Sequence, residues 1–394
     1  MLSATGPNSR PRRILFIIGQ LDVGGAERHL ISVAVELKQR GWDPEIFCLT
    51  KEGVLASEVR ASGIPVYSAH FLGRPIPEVG QWSLRVLGAF ASLSRHLLFR
   101  RPDIVHFFLP DAYVFGGLCA WGLALRPRIM SRRSLNNYQQ TRSPWLKKIE
   151  HFLHPRMTLI SGNSRAVVDQ LLNEGAPANR LRLIYNGVYQ DRFANLPAKS
   201  ATREALGIGQ DSIVLVMVAN IIPYKGHQLL LEALAAVRGQ LPSGWHLLLI
   251  GRDDGTGTNL HTFARDSGVG EHVVWMGSRD DVPRLLVAAD IGIHCSHEEG
   301  FSNAILEGMA AGLPMIVTDA GGNPEAVEHG HSGLVIPTND ARALGEAIVG
   351  LVGSPTERER LAFNAKQRVA RDFGVDCCIN GYEAMYSEAL ASKD

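Results

Sequence analysis

Residues 291–318, IGIHCSHEEGFSNAILEGMAAGLPMIVT, decide the fold, because they combine two buried strands with one helix. The apolar runs Ile291–Cys295 and Met315–Thr318 are short and uninterrupted, which is typical of strands that are buried on both faces. The stretch between them has helical composition, and Gly312 and Pro314 are placed to end a helix. A strand, a helix and a second strand in this order predict part of a parallel sheet.

The start of this helix carries the chemistry of the stretch. Ser302 is predicted as the N-cap, with Phe301 and Leu306 as a hydrophobic staple around it. Glu299 then lies in a loop at the carboxyl end of a strand, and Glu307 lies inside the helix. Open α/β sheets bind ligands at this edge, and a helix N-terminus favours anions such as a diphosphate. The two carboxylates suit sugar and ribose hydroxyls and the positive charge that develops at a sugar C1.

The same alternation of strands and helices extends over the chain. Six strands are predicted in the first half: 13–18, 45–49, 104–109, 128–131, 158–161 and 181–185. Six more are predicted in the second half: 212–219, 245–250, 273–276, 291–295, 315–318 and 334–336. Helical patterns lie between most of them, so the predicted fold class is α/β, with two Rossmann-like, doubly wound parallel-sheet domains.

Changes in composition divide the chain. Residues 1–192 form the predicted N-terminal domain. The pattern lapses into Pro, Gly, Ser and Asn over residues 193–211, which we interpret as a linker. Residues 212–374 form the predicted C-terminal domain, which we expect to bind the nucleotide sugar. Residues 375–394 begin with an amphipathic helical pattern.

The charge of the chain is unevenly distributed. The 394 residues have a formal net charge of +1. Residues 1–195 contain 25 Lys and Arg against 14 Asp and Glu, which leaves 15 against 25 for the rest. A basic half suits an anionic partner, such as a lipid surface, a phosphorylated acceptor or the acidic half itself. A plain solvated basic surface is the alternative, and no nucleic-acid partner is expected.

Cysteine usage and hydropathy predict the compartment. The five cysteines show no spacing typical of zinc sites, which indicates a reducing environment. Residues 1–12 are polar and basic, unlike a signal peptide. The longest apolar stretch, 113–125, is shorter than the roughly 20 residues that span a bilayer. We therefore expect a cytoplasmic protein with peripheral contact to the inner face of the membrane.

Several short motifs, in the order in which they occur along the chain, resemble those of glycosyltransferase family 4. Glu299 and Glu307 resemble the E-x7-E motif of its retaining enzymes. The other matching parts occur in the family's order: Gly24-Gly25, Asp103–His106, Asn163-Ser164, Tyr185–Val188, Pro223–Gly226, Ile250-Gly251, Gly277 and Gly321–Glu325. The resemblance covers roughly residues 13–390. It implies the GT-B fold, in which an acceptor-side first domain and a donor-binding second domain face each other across a cleft and the C-terminal helix of residues 375–394 crosses back to the first domain. It also implies transfer of a sugar from a nucleotide diphosphate with retention at C1.

The resemblance also implies roles for the motif residues. Glu299 is expected to face the donor sugar and act in catalysis, and Glu307 is expected to bind the ribose. The loop between them is expected to line the sugar and diphosphate: Gly300, Phe301, Ser302 and Asn303.

A lysine is expected to receive the leaving group. Lys225 follows a predicted strand and supplies a point charge for the diphosphate. Many family members carry Arg where this chain has Asn220, so a pair of cations becomes one. Arg252 or Arg279 would compensate, and the sequence leaves this open.

Gly24 and Gly25 follow the first strand and open the first helix, where glycine lets backbone N–H groups approach a phosphate. A dinucleotide fold is the competing interpretation. The spacing of Gly19 and Gly24 does not fit G-x-G-x-x-G, and the second strand ends without the acidic residue that would bind a ribose. We therefore do not expect NAD.

Three residues of the first half are further candidates. His106 lies near the end of a strand, and the resemblance places this position near the sugar and acceptor; a buried packing histidine is the alternative. Arg132 and Arg133 lie in the densest basic stretch, which suits an acceptor, a membrane or only solvent. No metal-binding spacing occurs among the histidines, so we expect no metal and no cofactor besides the donor.

The expected reaction is sugar transfer to an acceptor hydroxyl, by same-face attack or through a covalent intermediate on Glu299. A UDP-sugar is the preferred donor. A glycan or lipid-linked acceptor in bacterial cell-surface polysaccharide or lipid-linked glycan synthesis is the preferred acceptor. The alternatives are a sugar-nucleotide epimerase of the same fold and a non-catalytic GT-B scaffold.

Overall fold

The chain forms two compact units, each built around one parallel sheet. The computed structural model describes residues 10–71, 74–75, 82–141 and 143–392, so residues 1–9 of the predicted first domain lie outside the described residues. The first unit comprises Met1–Ile184 and Ile379–Asp394, and the second comprises Tyr185–Cys378. Residues 185–192, assigned to the first domain from sequence, thus belong to the second unit.

The strands follow the predicted hydrophobic runs closely. Those of the first unit are Arg13–Ile18 (β1), Asp43–Cys48 (β2), Val66–Ser68 (β3), His70–Phe71 (β4), Arg74–Pro75 (β5), Ile104–Phe108 (β6), Arg128–Arg132 (β7), Leu159–Gly162 (β8) and Leu181–Leu183 (β9). Those of the second unit are Val214–Val218 (β10), His246–Ile250 (β11), Val273–Gly277 (β12), Ile291–His294 (β13), Met315–Thr318 (β14) and Gly333–Ile336 (β15). Seven strands form the first sheet, in the order β3-β2-β1-β6-β7-β8-β9, and six form the second, in the order β12-β11-β10-β13-β14-β15. The predicted α/β class with two Rossmann-like sheets is confirmed.

The helices connect the strands and cover both faces of each sheet. They are Gly25–Gln39 (α1), Ala56–Ala61 (α2), Trp82–Arg100 (α3), Gly117–Gly122 (α4), Tyr138–Thr141 (α5), Pro144–Leu153 (α6), Arg165–Asn173 (α7), Lys199–Ala205 (α8), His227–Val237 (α9), Gly257–Asp266 (α10), Val282–Ala288 (α11), Asn303–Ala310 (α12), Asn323–Ala326 (α13), Ala341–Gly353 (α14), Pro355–Asp372 (α15) and Val375–Ala391 (α16). Within the described ranges, no helix is both long and apolar enough to cross a membrane.

Alternate residues of the central strands pack into two separate cores in the second unit. Leu247 and Leu249 of β11 belong to one hydrophobic cluster, whereas Leu248 and Ile250 belong to the other. Successive strand residues point to opposite faces of a sheet, so both faces are buried. This burial explains why the strands appear as uninterrupted apolar runs in the sequence.

The strand order of the second sheet sets the position of its ligand site. β10 lies between β11 and β13. The chain first adds β11 and β12 on one side of β10, and it then returns to add β13, β14 and β15 on the other side. The carboxyl ends of β10 and β13 therefore flank a point where the strand order reverses, which is where open α/β sheets bind ligands.

The residues of the last helix are divided between the two units. α16 begins at Val375 in the second unit, and from Ile379 onward it belongs to the first. Tyr382, Met385 and Tyr386 are each at most 1% exposed, so this helix supplies core residues to the first unit.

Candidate active site

Two loops of the second unit meet at the point where the strand order reverses. One follows β10 and contains a 3-10 turn at Pro223–Lys225; the other follows β13 and leads to α12. The N–H of His297 donates to the carbonyl of Tyr224 at 2.7 Å. Gly226 has φ +80°, and a Cβ there would lie 2.0 Å from the carbonyl oxygen of Cys295. Only glycine permits this approach, which holds the two loops against each other.

Lys225 and Glu299 form an ion pair across these loops. The Lys225 Nζ lies 2.6 Å from Oε2 of Glu299, and the side chains are 17% and 14% exposed. The Nε2–H of His294 donates to the same carboxylate oxygen at 2.9 Å. Two donors on one oxygen fix the carboxylate at the edge of the sheet.

These contacts keep Glu299 ionised. Burial alone would raise the pKa of Glu299, but the Lys225 charge and the His294 hydrogen bond outweigh it and lower the pKa to about 2. The arrangement therefore offers a fixed negative charge beside a cation, which suits a developing positive charge next to a departing diphosphate.

His294 was not among the residues predicted from sequence. It is the last residue of β13, is 2% exposed, and its Nδ1 has no hydrogen-bond partner among the described residues. Burial lowers the pKa of His294, and the Glu299 contact opposes this. A histidine at a strand end five residues before Glu299 was the available signal, but only the fold shows that the loop turns back onto it.

The loop between the two glutamates leads into α12 near the predicted N-cap. Ser302 is the N-cap of α12, although its side chain makes no capping hydrogen bond. Phe301 and Leu306 belong to the same hydrophobic cluster. The Asn186 side chain donates to the Phe301 carbonyl at 2.8 Å and to the Asn303 side chain at 2.6 Å. Asn186 thus anchors this loop, and its role was not predicted.

Gly300 and Glu307 occupy the predicted backbone positions. The Gly300 carbonyl accepts a hydrogen bond from the N–H of Gly322 at 3.1 Å. Glu307 lies within α12 with a half-buried side chain, and its Oε1 lies 3.6 Å from the Arg192 guanidinium. Arg192 lies at the predicted boundary between the first domain and the linker, and it was not among the predicted site residues.

The two arginines predicted to compensate for Asn220 pair with nearby carboxylates, and compensation by either stays a prediction. Asn220 Oδ1 accepts from the backbone N–H of Arg252 at 3.3 Å. The Arg252 side chain pairs with Asp254 at 2.6 Å, and Arg279 pairs with Asp281 at 2.8 Å. Lys225 is therefore the predicted cation that the structure brings to Glu299.

The glycine pair of the first unit opens a helix as predicted. Gly24 is the N-cap of α1 and Gly25 is its first residue. The carboxylate of Glu27 folds against Gly24, since a Cβ on that glycine would lie 2.3 Å from Glu27 Oε2. Burial raises the pKa of Glu27. A phosphate contact at these glycines stays a prediction.

His106 has the surroundings of a packing histidine. It is fully buried in β6, with Nδ1 2.8 Å from the Tyr386 hydroxyl and Nε2 2.7 Å from the Ser131 hydroxyl. Burial, and next the Arg133 charge, lower the pKa of His106 well below its usual range. Both ring nitrogens are engaged within the first unit, and a catalytic role for His106 stays a prediction.

Arg132 is not a surface residue, contrary to the prediction from the basic stretch. It is 4% exposed and forms ion pairs with Glu150 and Glu174. A guanidinium at the end of a strand is buried here because two carboxylates compensate its charge. Arg133 is half-buried and reaches the Tyr382 hydroxyl at 3.4 Å. An acceptor or membrane role for this pair stays a prediction.

Glu174 also belongs to a group whose atoms are close enough to share a metal ion. The other members are His151 and His154, and the His154 Nε2 lies 3.2 Å from Glu174 Oε2. Arg132 already lies 2.7 Å from the same oxygen. The guanidinium supplies the positive charge that a metal would otherwise bring.

Comparisons with known proteins cover both halves of the chain. The family described as "Glycosyltransferase Family 4" matches residues 23–192, and the family described as "Glycosyl transferases group 1" matches residues 198–368. The D-inositol 3-phosphate glycosyltransferase of Actinosynnema mirum is 28% identical, and the alignment covers 94% of each chain. D-inositol 3-phosphate glycosyltransferase 2 of Catenulispora acidiphila is 27% identical, over 97% of this chain and 96% of that one.

A solved structure extends the likeness to three dimensions. Anabaena Alr3699/HepE in complex with UDP and glucose is 25% identical, with a TM-score of 0.81, and the match covers 95% of this chain and all of the other. The two family matches occur in the order that the sequence motifs predict, and the two sheets have the topology described above. The chain therefore belongs to glycosyltransferase family 4 and has the GT-B fold.

Proposed function

We propose that this glycosyltransferase moves a hexose from a UDP-sugar to an acceptor hydroxyl with retention at C1. The observation that carries the proposal is the ion pair of Lys225 and Glu299, joined by His294, at the reversal point of the second sheet. An ionised carboxylate beside a cation suits a reaction in which C1 gains positive charge while a diphosphate departs.

The donor is proposed from a structural neighbour. Anabaena HepE has been solved with UDP-glucose, at 25% identity to this chain. A UDP-hexose therefore becomes the first donor to test. The second unit would hold it, since the motif that faces nucleotide and sugar lies entirely within that unit.

Each motif residue has a proposed part in donor binding. Glu307 accepts hydrogen bonds from the two ribose hydroxyls, and Lys225 binds the diphosphate. The backbone of the loop before α12 lines the sugar and diphosphate: Gly300, Phe301, Ser302 and Asn303. Asn220 orients the Arg252 backbone at the neighbouring strand end. Lys225 and backbone N–H groups replace a metal ion in this account.

The proposed reaction keeps the acceptor on the face that the diphosphate leaves. The bond from C1 to the phosphate oxygen breaks, and a bond from C1 to the acceptor oxygen forms. The acceptor proton passes to the departing phosphate oxygen. Glu299 remains ionised throughout and stabilises the positive charge at C1.

The acceptor is proposed at the level of its class. We propose a glycan or lipid-linked hydroxyl, in cell-surface polysaccharide or lipid-linked glycan synthesis at the cytoplasmic face of the membrane. The names of the curated relatives add inositol 3-phosphate as a soluble acceptor to test.

The test incubates the full chain with UDP-, GDP- and ADP-glucose, with and without acceptors of these classes. Nucleotide release and the anomeric configuration of the product by NMR are measured. The proposal expects acceptor-dependent release of UDP and an α-linked product from the α-linked donor. A β-linked product would contradict retention. Nucleotide release without a transfer product would favour epimerase chemistry instead.

A further inference from the structure

A cavity of about 270 Å³ lies at the opposite edge of the first sheet from the carboxyl ends of its strands. Arg128 begins β7, Thr158 precedes β8 and Arg180 precedes β9, and all three line the cavity. Because these strands are parallel, their amino ends share one edge. The volume approaches the lower end of ligand pockets, which is roughly 300 Å³.

Arginine dominates the lining of this cavity. None of the described residues that line the cavity is acidic. Four of them are arginines: Arg126, Arg128, Arg156 and Arg180. No carboxylate among the described residues forms an ion pair with these four arginines, whereas Arg132 of the predicted basic stretch is neutralised by two glutamates.

Backbone carbonyls hold two of these guanidinium groups in fixed positions. Arg128 is 3% exposed and donates to the carbonyls of Arg156 and Leu125, at 2.6 and 2.8 Å for its shortest bonds. Arg180 donates to the carbonyl of Met157 at 2.9 Å. A guanidinium has five N–H donors, so donors remain for a ligand.

The carbonyl contacts do not neutralise the charges. Burial lowers the pKa of Arg128, and the neighbouring charges of Arg126 and Arg180 lower it further. Like charges gathered in a concave site repel each other, and a bound anion relieves that repulsion. The cavity is therefore electrostatically prepared for an anion.

An aromatic pair borders the arginines. The rings of Trp121 and Phe152 lie 5.2 Å apart, and they are 43% and 39% exposed. The Arg156 guanidinium lies 3.5 Å from the Phe152 ring centre and 5.5 Å from that of Trp121. The aromatic contacts orient Arg156 and give the rim an apolar surface beside the charges.

We propose that this cavity is a binding site for a phosphate group carried by an organic ligand, distinct from the sugar-transfer site. Planar guanidinium forks match the geometry of phosphate oxygens and bind them with charge-assisted hydrogen bonds. The apolar rim suits the organic part of a phosphate monoester or diester. The site lies at the amino edge of the first sheet, so it is not formed by the loops that carry the transfer motif of the second unit.

The experiment compares Arg126→Glu with a matched control. Arg126 is an exposed lining residue, and Arg95→Glu makes the same charge change at an exposed site of the same unit that does not line the cavity. Binding of sn-glycerol 3-phosphate is measured by calorimetry at one fixed ionic strength. The melting temperature of each variant verifies folding. A Lys225→Ala variant separates this site from the donor site, and it should bind glycerol phosphate as the wild type does.

Two arms distinguish a soluble ligand from a lipid. If the ligand is soluble, the wild type binds glycerol phosphate saturably, and Arg126→Glu weakens binding at least about tenfold, while Arg95→Glu does not. If the ligand is a phospholipid, Arg126→Glu weakens binding to vesicles of equal parts phosphatidylglycerol and phosphatidylcholine, while Arg95→Glu does not. Neither the wild type nor the variants then bind vesicles of pure phosphatidylcholine.

Three results would overturn the site. One is no binding of either probe. Another is an equal loss in the two charge variants, which would indicate only a general effect of net charge. The third is loss of glycerol phosphate binding in Lys225→Ala, which would place the phosphate at the donor site.

Discussion

At the scale of single residues, Glu299 is the centre of the site because its carboxylate receives two donors on one oxygen. Lys225 contributes charge and His294 contributes a hydrogen bond from the core. His294 is buried at the end of β13, so its hydrogen bond holds the carboxylate from the core side, whereas Lys225 is 17% exposed and is proposed to bind the diphosphate.

Replacing Glu299 by glutamine should lower kcat while leaving UDP affinity close to that of the wild type. The change keeps the shape of the side chain and removes the charge proposed to stabilise C1, and removing one such group typically costs about 100-fold or more in rate. Steady-state kinetics and UDP titration measure the two quantities. The matched control is Glu298→Gln at the adjacent carboxylate, which should retain wild-type kcat. Equal kcat in both variants would exclude Glu299 from the reaction.

A His294→Leu variant should shift the acidic limb of the pH–rate profile to higher pH. The pKa of Glu299 is about 2, so its ionisation does not limit the wild type near neutral pH. Without the His294 hydrogen bond the pKa rises toward its usual value of 4.5, so the carboxylate is protonated at higher pH. A lower rate with an unchanged acidic limb of the pH–rate profile would indicate that His294 contributes only to packing.

The same pKa shift gives a stability prediction with a definite sign. Because the folded pKa of Glu299 lies below the unfolded value, its ionisation stabilises the fold above about pH 4.5. This stabilisation is lost as the pH falls through that value toward 2. Glu299→Gln should therefore flatten the pH dependence of the urea unfolding free energy in this window. An unchanged dependence would show that the ion pair does not stabilise the fold.

At the scale of elements, the turn between β10 and α9 depends on the backbone approach at Gly226. Gly226 and Gly312 both have φ +80°. A Cβ on Gly226 would meet the Cys295 carbonyl, whereas a Cβ on Gly312 would meet open space. Alanine substitutions at the two glycines therefore distinguish the cost of backbone strain alone from the cost of strain with steric overlap.

Gly312→Ala should cost about 1–2 kcal/mol of unfolding free energy, which is the strain of a left-handed conformation with a side chain. Gly226→Ala should cost more, and it should also weaken UDP binding because the Lys225 turn must move. Urea unfolding and calorimetry give both values. Similar stability losses and unchanged UDP affinity in both variants would contradict the proposed contact of the two loops.

The elements were predictable from sequence to the extent that burial left its own pattern. The central strands of both sheets are buried on two faces and appear as apolar runs. All twelve predicted strands are present, and ten of them needed only their ends adjusted. The short β3, Val66–Ser68, lies at the sheet edge and has only one buried residue, so no apolar run marked it.

The partners of polar residues were not predictable in the same way. His106 meets Tyr386, which is 280 residues away in sequence. Arg132 lies in a basic stretch, yet its guanidinium is buried against Glu150 of α6 and Glu174, which follows the last residue of α7. Such contacts depend on packing between distant parts of the chain, so neither hydropathy nor motif spacing reveals them.

At the scale of the whole molecule, the last helix completes the core of the first unit with residues from the C-terminus. Tyr382 and Tyr386 pack near His29 and His106, and their hydroxyls meet the two histidines at 3.1 and 2.8 Å. The stability of the first unit therefore depends on α16, whereas the proposed donor site lies in the second unit.

Tyr386→Phe should lower the stability of the first unit by about 1–3 kcal/mol, since it leaves a buried nitrogen of His106 without its partner. Unfolding curves followed by hydrogen exchange of β6 measure this loss. UDP affinity should stay unchanged because Tyr386 is not part of the second unit. A fall in UDP affinity with an unaltered first unit would contradict the separation of these roles.

The central claim is that the carboxyl edge of the second sheet holds the nucleotide through Glu307 and the loop before it. Calorimetric titration of UDP into the wild type, Glu307→Gln and the exposed control Glu346→Gln tests it most directly. We expect one saturable UDP site in the wild type and in Glu346→Gln. The affinity of Glu307→Gln should be about tenfold lower, because a charged acceptor for the ribose hydroxyls is lost. Absence of UDP binding at millimolar concentration, or equal affinity in all three proteins, would contradict it.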